Sequence, residues 1–499
     1  MSTATAPPSR DPLPGSRLAT VLALAALLGV SALLAYFQVE DADVFWHLKA
    51  GLVSLERGAI VSTNLFSSTF PDRPWMNAEW LFQAALAAAF KAGGWGGVAV
   101  FKLAVVGAVA VTLFFAMTTA AGGPVAAAAL AAGALAVMRP RLTERPHLVS
   151  CLFFTLILLA LARRRRGSRV PILALPALFA LWGNVHAELV IGLLFLVAVL
   201  AGEALDRRRA GLPLLPRGDR FALSVLLCVP AMMLNPFTWR TPVFPLLHVN
   251  LGAVIDVIEF RSSFGYPVPL FWASLLVTAA VVVRCRREIG FAEALPLAAV
   301  AALAVGYLRA IPYFLLAAAP LLHARLQASL RAPGARAPRL RSWAVAAGAS
   351  AVVLWSLFGG NRRFLHRGYG VDEAQFPVAA ADLLAREEFP PNLFNDYNEG
   401  GYLIFRLWPR LPVFQDGRCL QAYPGEFISR VNARVPEQGW QGLLDDRGVN
   451  TALVRRHHLE KRGFTRAAWG MVYRDNFWAI LVRRGPAGDA LLERLEDRR

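Results

Sequence analysis

The chain has 499 residues, of which 56% are apolar and only 17% are charged. Together with a mean hydropathy of +0.46, this composition excludes an ordinary soluble or disordered protein and predicts a mainly α-helical, polytopic membrane protein. The net charge of +18 suits nucleic-acid binding, but the arginines stand between apolar runs, where they act as signals of membrane topology. We therefore predict no nucleic-acid partner.

Eleven apolar runs are candidate membrane spans. The first follows Arg10 and Arg17 but lacks the small-residue pattern of a cleavage site, so we predict a retained helix rather than a signal peptide. Several of the other runs are shorter than the roughly 20 residues that a straight span needs. The runs cover residues 18–37, 97–117, 124–138, 148–162, 170–182, 189–201, 221–234, 270–283, 291–307, 310–322 and 343–358.

The distribution of arginine predicts the orientation of these spans. With residues 1–17 as a cytoplasmic tail, four arginine-rich loops fall on the cytoplasmic side, as the positive-inside rule requires. This topology holds only if residues 77–91 do not span, and it leaves Arg139, Arg141 and Arg145 outside. We therefore predict that 77–91 is a helix along the interface or packed over a site, with a short tilted span as the alternative. The four loops are 163–166, 207–220, 284–287 and 325–341.

This topology divides the chain into a tail (1–17), a membrane domain (18–358) with an outer loop (38–96), and a C-terminal part (359–499) outside the membrane. Most polar clusters that are not arginine loops then lie on the outer face, which indicates a polar cavity there, because charges at helix ends are costly unless they snorkel, pair or serve a site. The residues of this face include Asp41, Asp43, His47, Asn77, Glu79, Arg139, Arg141, Arg145, Asn184, His186, Glu188, Arg240, Glu259 and Arg309.

Residues 359–499 contain no spanning run and predict a small extracytoplasmic α+β domain. We expect helices at 376–388 and 437–447 and a hairpin formed by 471–473 and 477–483. Residues 395–402, which include Gly400 and Gly401, predict a strand followed by a glycine-dependent turn. Further strands are expected at 392–396, 413–416 and 449–455.

The acidic stretch after the first span carries the most chemistry. Asp41 and Asp43 are two residues apart, so in an extended loop they share one side and can bind one Mg²⁺ or Mn²⁺ ion. Alternatively, one of them is a general base that removes a proton from an acceptor hydroxyl. His47 can act as a ligand, a base or a phosphate donor. A purely structural interpretation is also open, in which these carboxylates solvate the end of the helix or pair with arginines.

Several motifs resemble a widespread family of bacterial multispanning proteins related to the GT-C glycosyltransferases. The acidic stretch Asp41-Ala42-Asp43 takes the place of that superfamily's D-x-D, D-D or E-x-D motif in the first outer loop. The similarity continues through the membrane part and into the C-terminal part. The motifs that carry it are Asp41–Gly51, Thr63–Ser67, Pro74–Leu81, Leu234–Arg240, Arg309–Pro312, Phe394–Tyr397, Gly400–Leu403 and Phe414–Arg418.

The resemblance implies a transferase of the cell envelope, in the bacterial cytoplasmic membrane, with its C-terminus outside. Its donor would be a sugar on a polyprenyl phosphate and its acceptor an outer-face glycan, lipid or protein. Asp41, Asp43 and His47 would be catalytic, with a divalent cation as a possible cofactor. The alternative is a non-catalytic transporter or scaffold for polyprenyl-linked glycans or envelope lipids.

The resemblance also implies a set of substrate-binding residues. Arg309 is the first choice for the donor's phosphate, because guanidinium groups offer forked donors to phosphate oxygens. Arg139, Arg141 and Arg240 follow it, and each has an alternative interpretation as a snorkelling residue. The remaining members of the set are Asn77, Glu79, His186 and Glu188, and a hydrogen-bonded helix cap would also explain the last two.

Overall fold

The computed structural model describes residues 14–168, 170–216, 218–247, 258–331, 338–358, 366–432 and 439–497. A helix overlaps each of the eleven predicted apolar runs. In chain order the helices of this part are α1 (Pro14–Ala35), α2 (Asp43–Arg57), α3 (Trp80–Ala121), α4 (Pro124–Val137), α5 (Pro146–Arg165), α6 (Ala174–Trp182), α7 (Leu189–Arg209), α8 (Arg220–Ala231), α9 (Arg240–Leu247), α10 (Pro269–Arg284), α11 (Phe291–Gly306), α12 (Ile311–Arg331) and α13 (Pro338–Phe358).

The helices differ in whether they are long enough to cross a membrane. Among the described residues, four are both long and apolar enough by length and composition: 17–35, α3, α5 and α7. Five shorter helices are also apolar, namely α4, α8, α10, α11 and residues 344–358. The helix predicted for 170–182 begins only at Ala174, after Pro171, so α6 has 9 residues and rises about 14 Å. These helices indicate a multi-pass membrane protein.

Helix α3 is two helices joined at Gly93 and Gly94. Both glycines leave the helical conformation, and Gly94 takes a positive φ of 55°, which a residue without a Cβ adopts at little cost. A Cβ on Gly97 would lie 2.0 Å from the Ala89 carbonyl oxygen, so the chain reverses and the two halves touch. Residues 80–92 are therefore separate from the long apolar helix that follows them.

Helices α5 and α7 give the bundle two chemically different ends. A charged residue stands just before each helix, Arg145 before α5 and Glu188 before α7, and both helices end in arginines: Arg163–Arg165 in α5 and Arg207–Arg209 in α7. Near those ends Arg164 pairs with Glu203 through Nη2 at 2.9 Å, and Arg165 pairs with Glu293 at 3.2 Å. Because α5 has 20 residues, its two ends are about 30 Å apart. Arginine-rich loops therefore gather at the end opposite Asp43.

The C-terminal part contains a four-stranded sheet with helices around it. The strands are β1 (Leu393–Asn395), β2 (Thr451–Arg455), β3 (Trp469–Arg474) and β4 (Trp478–Arg483), in the order β1-β2-β4-β3. Strands β1 and β2 are parallel, and the other pairs are antiparallel, with β3 and β4 forming the predicted hairpin. The helices are α14 (Val378–Arg386), α15 (Tyr397–Leu407), α16 (Gly425–Asn432), α17 (Gly439–Asp446) and α18 (Pro486–Glu496).

Two predictions for this part are wrong. Residues 413–416 form no strand, because the Asn395 side chain bonds the Phe414 N–H and the Gln415 carbonyl, at 2.9 and 2.8 Å, in place of a ladder. The glycines of 395–402 lie inside helix α15 rather than in a turn. They allow close contact instead, because a Cβ on Gly401 would lie 2.2 Å from the Ala42 carbonyl oxygen.

Hydrogen bonds join the C-terminal part to the loop that follows α2. The Asn64 side chain donates to the Ala422 carbonyl at 3.0 Å, Trp75 Nε1 donates to Gln421 Oε1 at 2.9 Å, and Trp408 Nε1 donates to the Leu65 carbonyl at 2.9 Å. Core side chains of α15 belong to the same hydrophobic cluster as those of α2 and α3. This contact holds residues 413–423 directly beside Asp43.

Candidate active site

Charged residues that are far apart in sequence meet where four helices begin. Asp43 opens α2, Arg145 and Glu188 are the residues just before α5 and α7, and Arg309 lies in the turn just before α12. Helix N-termini carry partial positive charge, which favours carboxylates placed there. We call Asp41, Asp43, Arg141, Arg145 and Glu259 the carboxylate–arginine cluster.

Arg145 is the centre of this cluster. Its guanidinium contacts Asp43 Oδ2 at 2.8 Å, Asp41 Oδ2 at 3.3 Å, and Glu259. Glu259 also accepts a hydrogen bond from Arg141, so one carboxylate bridges two arginines. The side chains of the cluster are 18 to 21% exposed, so they are largely shielded from bulk water but keep some contact with it.

Asp43 has the chemistry of a group that exchanges protons near neutral pH. Burial raises its pKa, with a further contribution from Asp41 and Glu259, and the attraction of Arg145 and the Trp46 hydrogen bond lower it; the result is about 7. The Trp46 bond joins Nε1 to Asp43 Oδ1 at 2.9 Å, and the Asp43 N–H donates to Asp41 Oδ1 at 3.0 Å. The two carboxylates are thus held in fixed relation by their own loop.

Glu259 and Arg145 are the site residues that had no predicted role. Burial raises the pKa of Glu259, but the attraction of Arg141, Arg145 and Arg309 outweighs burial and holds it well below the usual range. Glu259 is therefore a permanent anion beside three guanidinium groups. The only sequence signal for either residue was its position on the polar face, because the contact joins residues 114 apart in the chain.

A second network, which we call the Glu188 network, comprises His186, Glu188, Arg309 and Tyr313. Glu188 Oε1 accepts from Arg309 Nε at 3.0 Å and Nη2 at 2.7 Å, and Oε2 accepts from Tyr313 Oη at 2.5 Å. Burial raises the pKa of Glu188, but His186 and Arg309 together hold it well below the usual range. Four of the predicted residues, Arg141, His186, Glu188 and Arg309, thus belong to these two networks, beside the aspartates.

His47 and Asn77 are core residues rather than members of either network. His47 is buried, stacks on Trp46 with ring centroids 3.6 Å apart, and contacts Gln83 Nε2 at 3.4 Å. Burial, together with Arg145 and His186, holds its pKa well below the usual range, so the ring is neutral. Asn77 is buried and exchanges two hydrogen bonds with Gln83, at 2.8 and 2.6 Å. Both residues fix α2 against the first half of α3.

Glu79 is the residue just before α3 and is buried. Burial raises its pKa, while His186 and a hydrogen bond from Gln421 oppose that rise. Its Oε2 atom is buried and has no hydrogen-bond partner among the described residues. Glu79 therefore lies between the Glu188 network and the C-terminal part without joining the ion pairs of either.

Arg139 and Arg240 lie away from the networks. Arg139 is buried and donates from Nε to the Leu34 carbonyl at 3.2 Å and from Nη1 to the Ser356 carbonyl, so it joins α1 to α13. Arg240 is exposed at the start of α9. Neither residue contacts Asp41 or Asp43 in the described part of the chain, so we do not assign them to the phosphate.

The acidic pair does not present the ligand set of a divalent cation. Among the described residues, no group of three or more His, Cys, Asp or Glu residues could hold a metal ion. Asp41 and Asp43 both accept from Arg145, so a guanidinium takes the position between them where Mg²⁺ or Mn²⁺ would need converging oxygens.

The C-terminal part closes over Asp43 at Gly417. A Cβ on this glycine would lie 1.9 Å from Asp43 Oδ1 and 3.3 Å from Trp46 Nε1. The Tyr397 hydroxyl donates to the Gly417 carbonyl at 3.3 Å, which holds the loop in place. Any side chain at this position would displace the Asp43 carboxylate.

If Asp43 is catalytic, as the sequence predicts, the Gly417→Ala variant should fold but lose about 100-fold in catalytic rate, because a displacement of about 1 Å can have that effect on catalysis. The control is Gly425→Ala, whose Cβ would meet Leu420 Cδ2 at an ordinary 3.6 Å. Melting temperature and product formation should be measured for both variants. Wild-type activity in Gly417→Ala would mean that Asp43 does not act in this position.

Comparison by sequence finds no matching family model and no matching curated protein. Comparison by structure finds the oligosaccharyltransferase AglB from Archaeoglobus fulgidus, in complex with an inhibitory peptide and a dolichol-phosphate, at a TM-score of 0.54 and 12% identity over 88% of this chain and 70% of that one. It also finds ArnT from Cupriavidus metallidurans bound to undecaprenyl phosphate, at a TM-score of 0.54 and 15% identity over 95% of this chain and 100% of that one.

Both relatives are GT-C glycosyltransferases, and identities this low establish the fold alone. The apolar helices and the small sheet agree with the fold that the resemblance implies. The chain therefore has a fold related to that of the GT-C glycosyltransferases.

Proposed function

We propose that the chain is a glycosyltransferase that takes a sugar from a polyprenyl-phosphate carrier at the outer face of the bacterial cytoplasmic membrane. The acceptor is an outer-face glycan, lipid or protein. The observation that carries the proposal is the convergence of Asp41 and Asp43 with Arg141, Arg145 and Arg309 where the helices begin. A base and a set of phosphate-binding groups are the two components that such a transfer needs.

The orientation rests on the opposite end of the bundle. Arginine-rich loops gather there, and the positive-inside rule puts such loops in the cytoplasm. The carboxylate–arginine cluster then faces outward, together with the C-terminal part. The structural relatives are bound to dolichol-phosphate and undecaprenyl phosphate, which supports a lipid phosphate as the carrier.

The reaction needs one proton transfer and one displacement. Asp43 removes the proton from the acceptor hydroxyl as that oxygen bonds to the anomeric carbon of the sugar. The bond between this carbon and the phosphate oxygen breaks, and its electron pair leaves with the polyprenyl phosphate. Arg141, Arg145 and Arg309 stabilise the negative charge on the departing phosphate, and Asp43 returns its proton to water.

The experiment replaces Asp41 and Asp43 singly with asparagine in a strain that lacks the native copy. Glycolipids and glycoproteins are then profiled by mass spectrometry. We expect the product of the wild-type chain to be missing from the Asp43→Asn strain and reduced in the Asp41→Asn strain. If both strains make wild-type products, the proposal fails and the transporter or scaffold interpretation replaces it.

A further inference from the structure

One short turn, Ile258–Phe260, contacts all three guanidinium groups of the proposed phosphate site. Glu259 accepts hydrogen bonds from Arg141 and Arg145. The ring of the next residue, Phe260, lies under the Arg309 guanidinium, with 4.9 Å between the ring centroid and Cζ. The turn itself is held by a hydrogen bond from the Leu308 N–H to the Arg261 carbonyl, at 3.0 Å. A single segment thus covers the arginines that would meet the substrate.

The Glu259 carboxylate has the position and charge of a bound anion. It is ionised at all physiological pH values, because the three arginines outweigh its burial. Phosphate and carboxylate oxygens accept the same forked hydrogen bonds from guanidinium groups. Arg141 also has a buried Nε that lacks a hydrogen-bond partner among the described residues, so it can still donate to another acceptor.

We propose that Glu259 is an internal competitor for the phosphate site, which occupies Arg141 and Arg145 until the phosphate of the lipid-linked donor displaces it. This inference rests on the proposed function and deepens it, because it names Arg141 and Arg145 as the phosphate subsite. The Ile258–Phe260 turn holds the backbone of Glu259 in place. The phosphate therefore displaces the carboxylate by rotation of the Glu259 side chain alone. Glu259 also neutralises Arg141 in the absence of substrate, which avoids an uncompensated charge next to the membrane, while Arg145 keeps Asp41 and Asp43 as further partners.

A competing internal group lowers the apparent affinity of the ligand by the fraction of time that the site is free. Removing the charge of Glu259 therefore raises the affinity of the site for a phosphate anion. The gain is about tenfold for each 1.4 kcal/mol by which Glu259 had stabilised the form of the site that it occupies. A residue that served as a base or an acceptor contact would show the reverse pattern, with unchanged binding and lost turnover. The two roles are distinguishable by measuring binding separately from activity.

The test measures binding of undecaprenyl phosphate, undecaprenol and inorganic phosphate to the purified full-length protein in detergent. We expect Glu259→Gln to bind undecaprenyl phosphate about tenfold more tightly than the wild type, with binding of undecaprenol unchanged. Glu259→Asp keeps the charge but is one methylene shorter, so its affinity for undecaprenyl phosphate should lie between those of the wild type and Glu259→Gln. If the gain extends equally to inorganic phosphate, the competitor role is supported with free phosphate as the anion; if it is confined to undecaprenyl phosphate, the anion is the lipid head group.

The matched control is Glu203→Gln, which removes a carboxylate paired with Arg164 at the opposite end of the bundle and should leave binding unchanged. If Glu259→Gln binds undecaprenyl phosphate no better than the wild type, the competitor role is wrong although the proposed function stands. If no form of the protein binds undecaprenyl phosphate, the proposed function is wrong as well. Melting temperatures of Glu259→Gln and Glu259→Asp show that each variant is folded.

Discussion

The Asp43→Asn variant should lose about 100- to 10,000-fold in the rate of glycosyl transfer, the usual contribution of a general base. Asparagine has nearly the same shape and still accepts from Trp46 Nε1, and Arg145 keeps Asp41 and Glu259 as partners. The variant should therefore fold, with a lower melting temperature because one ion pair is lost. The pH profile gives a second readout. Because the pKa of Asp43 is raised to about 7 and the base acts in its ionised form, wild-type activity should rise as pH increases through about 7 and level off above it.

The control for this prediction is Asp382→Asn, which removes a carboxylate paired with Arg406 in the C-terminal part. That variant should keep both the rate and the pH profile of the wild type. The residual activity of Asp43→Asn should not follow the same titration. A wild-type rate in Asp43→Asn, or a rate that is independent of pH between 6 and 8 in the wild type, would show that another group removes the proton.

The Arg145→Gln variant should be both unstable and inactive. Among the described residues, its loss leaves Asp41 and Asp43 without an ion-pair partner, and Glu259 keeps its ion pair with Arg141. Removing one member of a largely buried ion-pair cluster costs about 3 kcal/mol, which should lower the melting temperature by several degrees. Binding of undecaprenyl phosphate should weaken together with stability, because the same guanidinium belongs to the phosphate site.

Arg145→Lys separates these two effects. A lysine ammonium keeps the charge but cannot offer forked hydrogen bonds to three carboxylates, so we expect partial recovery of stability and little recovery of activity. Arg164→Lys is the control, because Arg164 forms a forked pair with Glu203 away from the site. If Arg145→Lys were fully active, the forked geometry of Arg145 would have no role in the reaction.

Much of the fold could be predicted from composition and charge. Apolar runs located the helices. The arginine loops led to the prediction that residues 77–91 do not span, and a sharp turn at Gly93 and Gly94 separates most of this segment from the long helix after it. The absence of a strand at 413–416 could not be predicted. The hydrogen-bond partners of the Phe414 N–H and the Gln415 carbonyl come from the side chain of Asn395, which is distant in sequence.

Part of the candidate site was predictable from the sequence. Asp41 and Asp43 follow the first apolar run, and the topology argument placed Arg141, His186, Glu188 and Arg309 on the same face. Arg139 and Arg141 looked equivalent in sequence, yet residues two apart in a 3₁₀ turn point to different sides. Arg139 consequently donates to α1 and α13, while Arg141 meets Glu259. No local pattern links Glu259 to Arg145, because their contact depends on how distant helices pack.

The central claim is that the carboxylate–arginine cluster transfers a sugar and releases its lipid phosphate. The most direct test incubates the purified protein with lipid-linked sugars extracted from the membranes of its host. An extract of the outer-face glycans, lipids and proteins serves as acceptor, and free polyprenyl phosphate is measured. We predict that polyprenyl phosphate is released in step with sugar transfer by the wild type and not by Asp43→Asn. Binding of the lipid-linked sugar without release of polyprenyl phosphate would contradict a transferase and favour a transporter or scaffold.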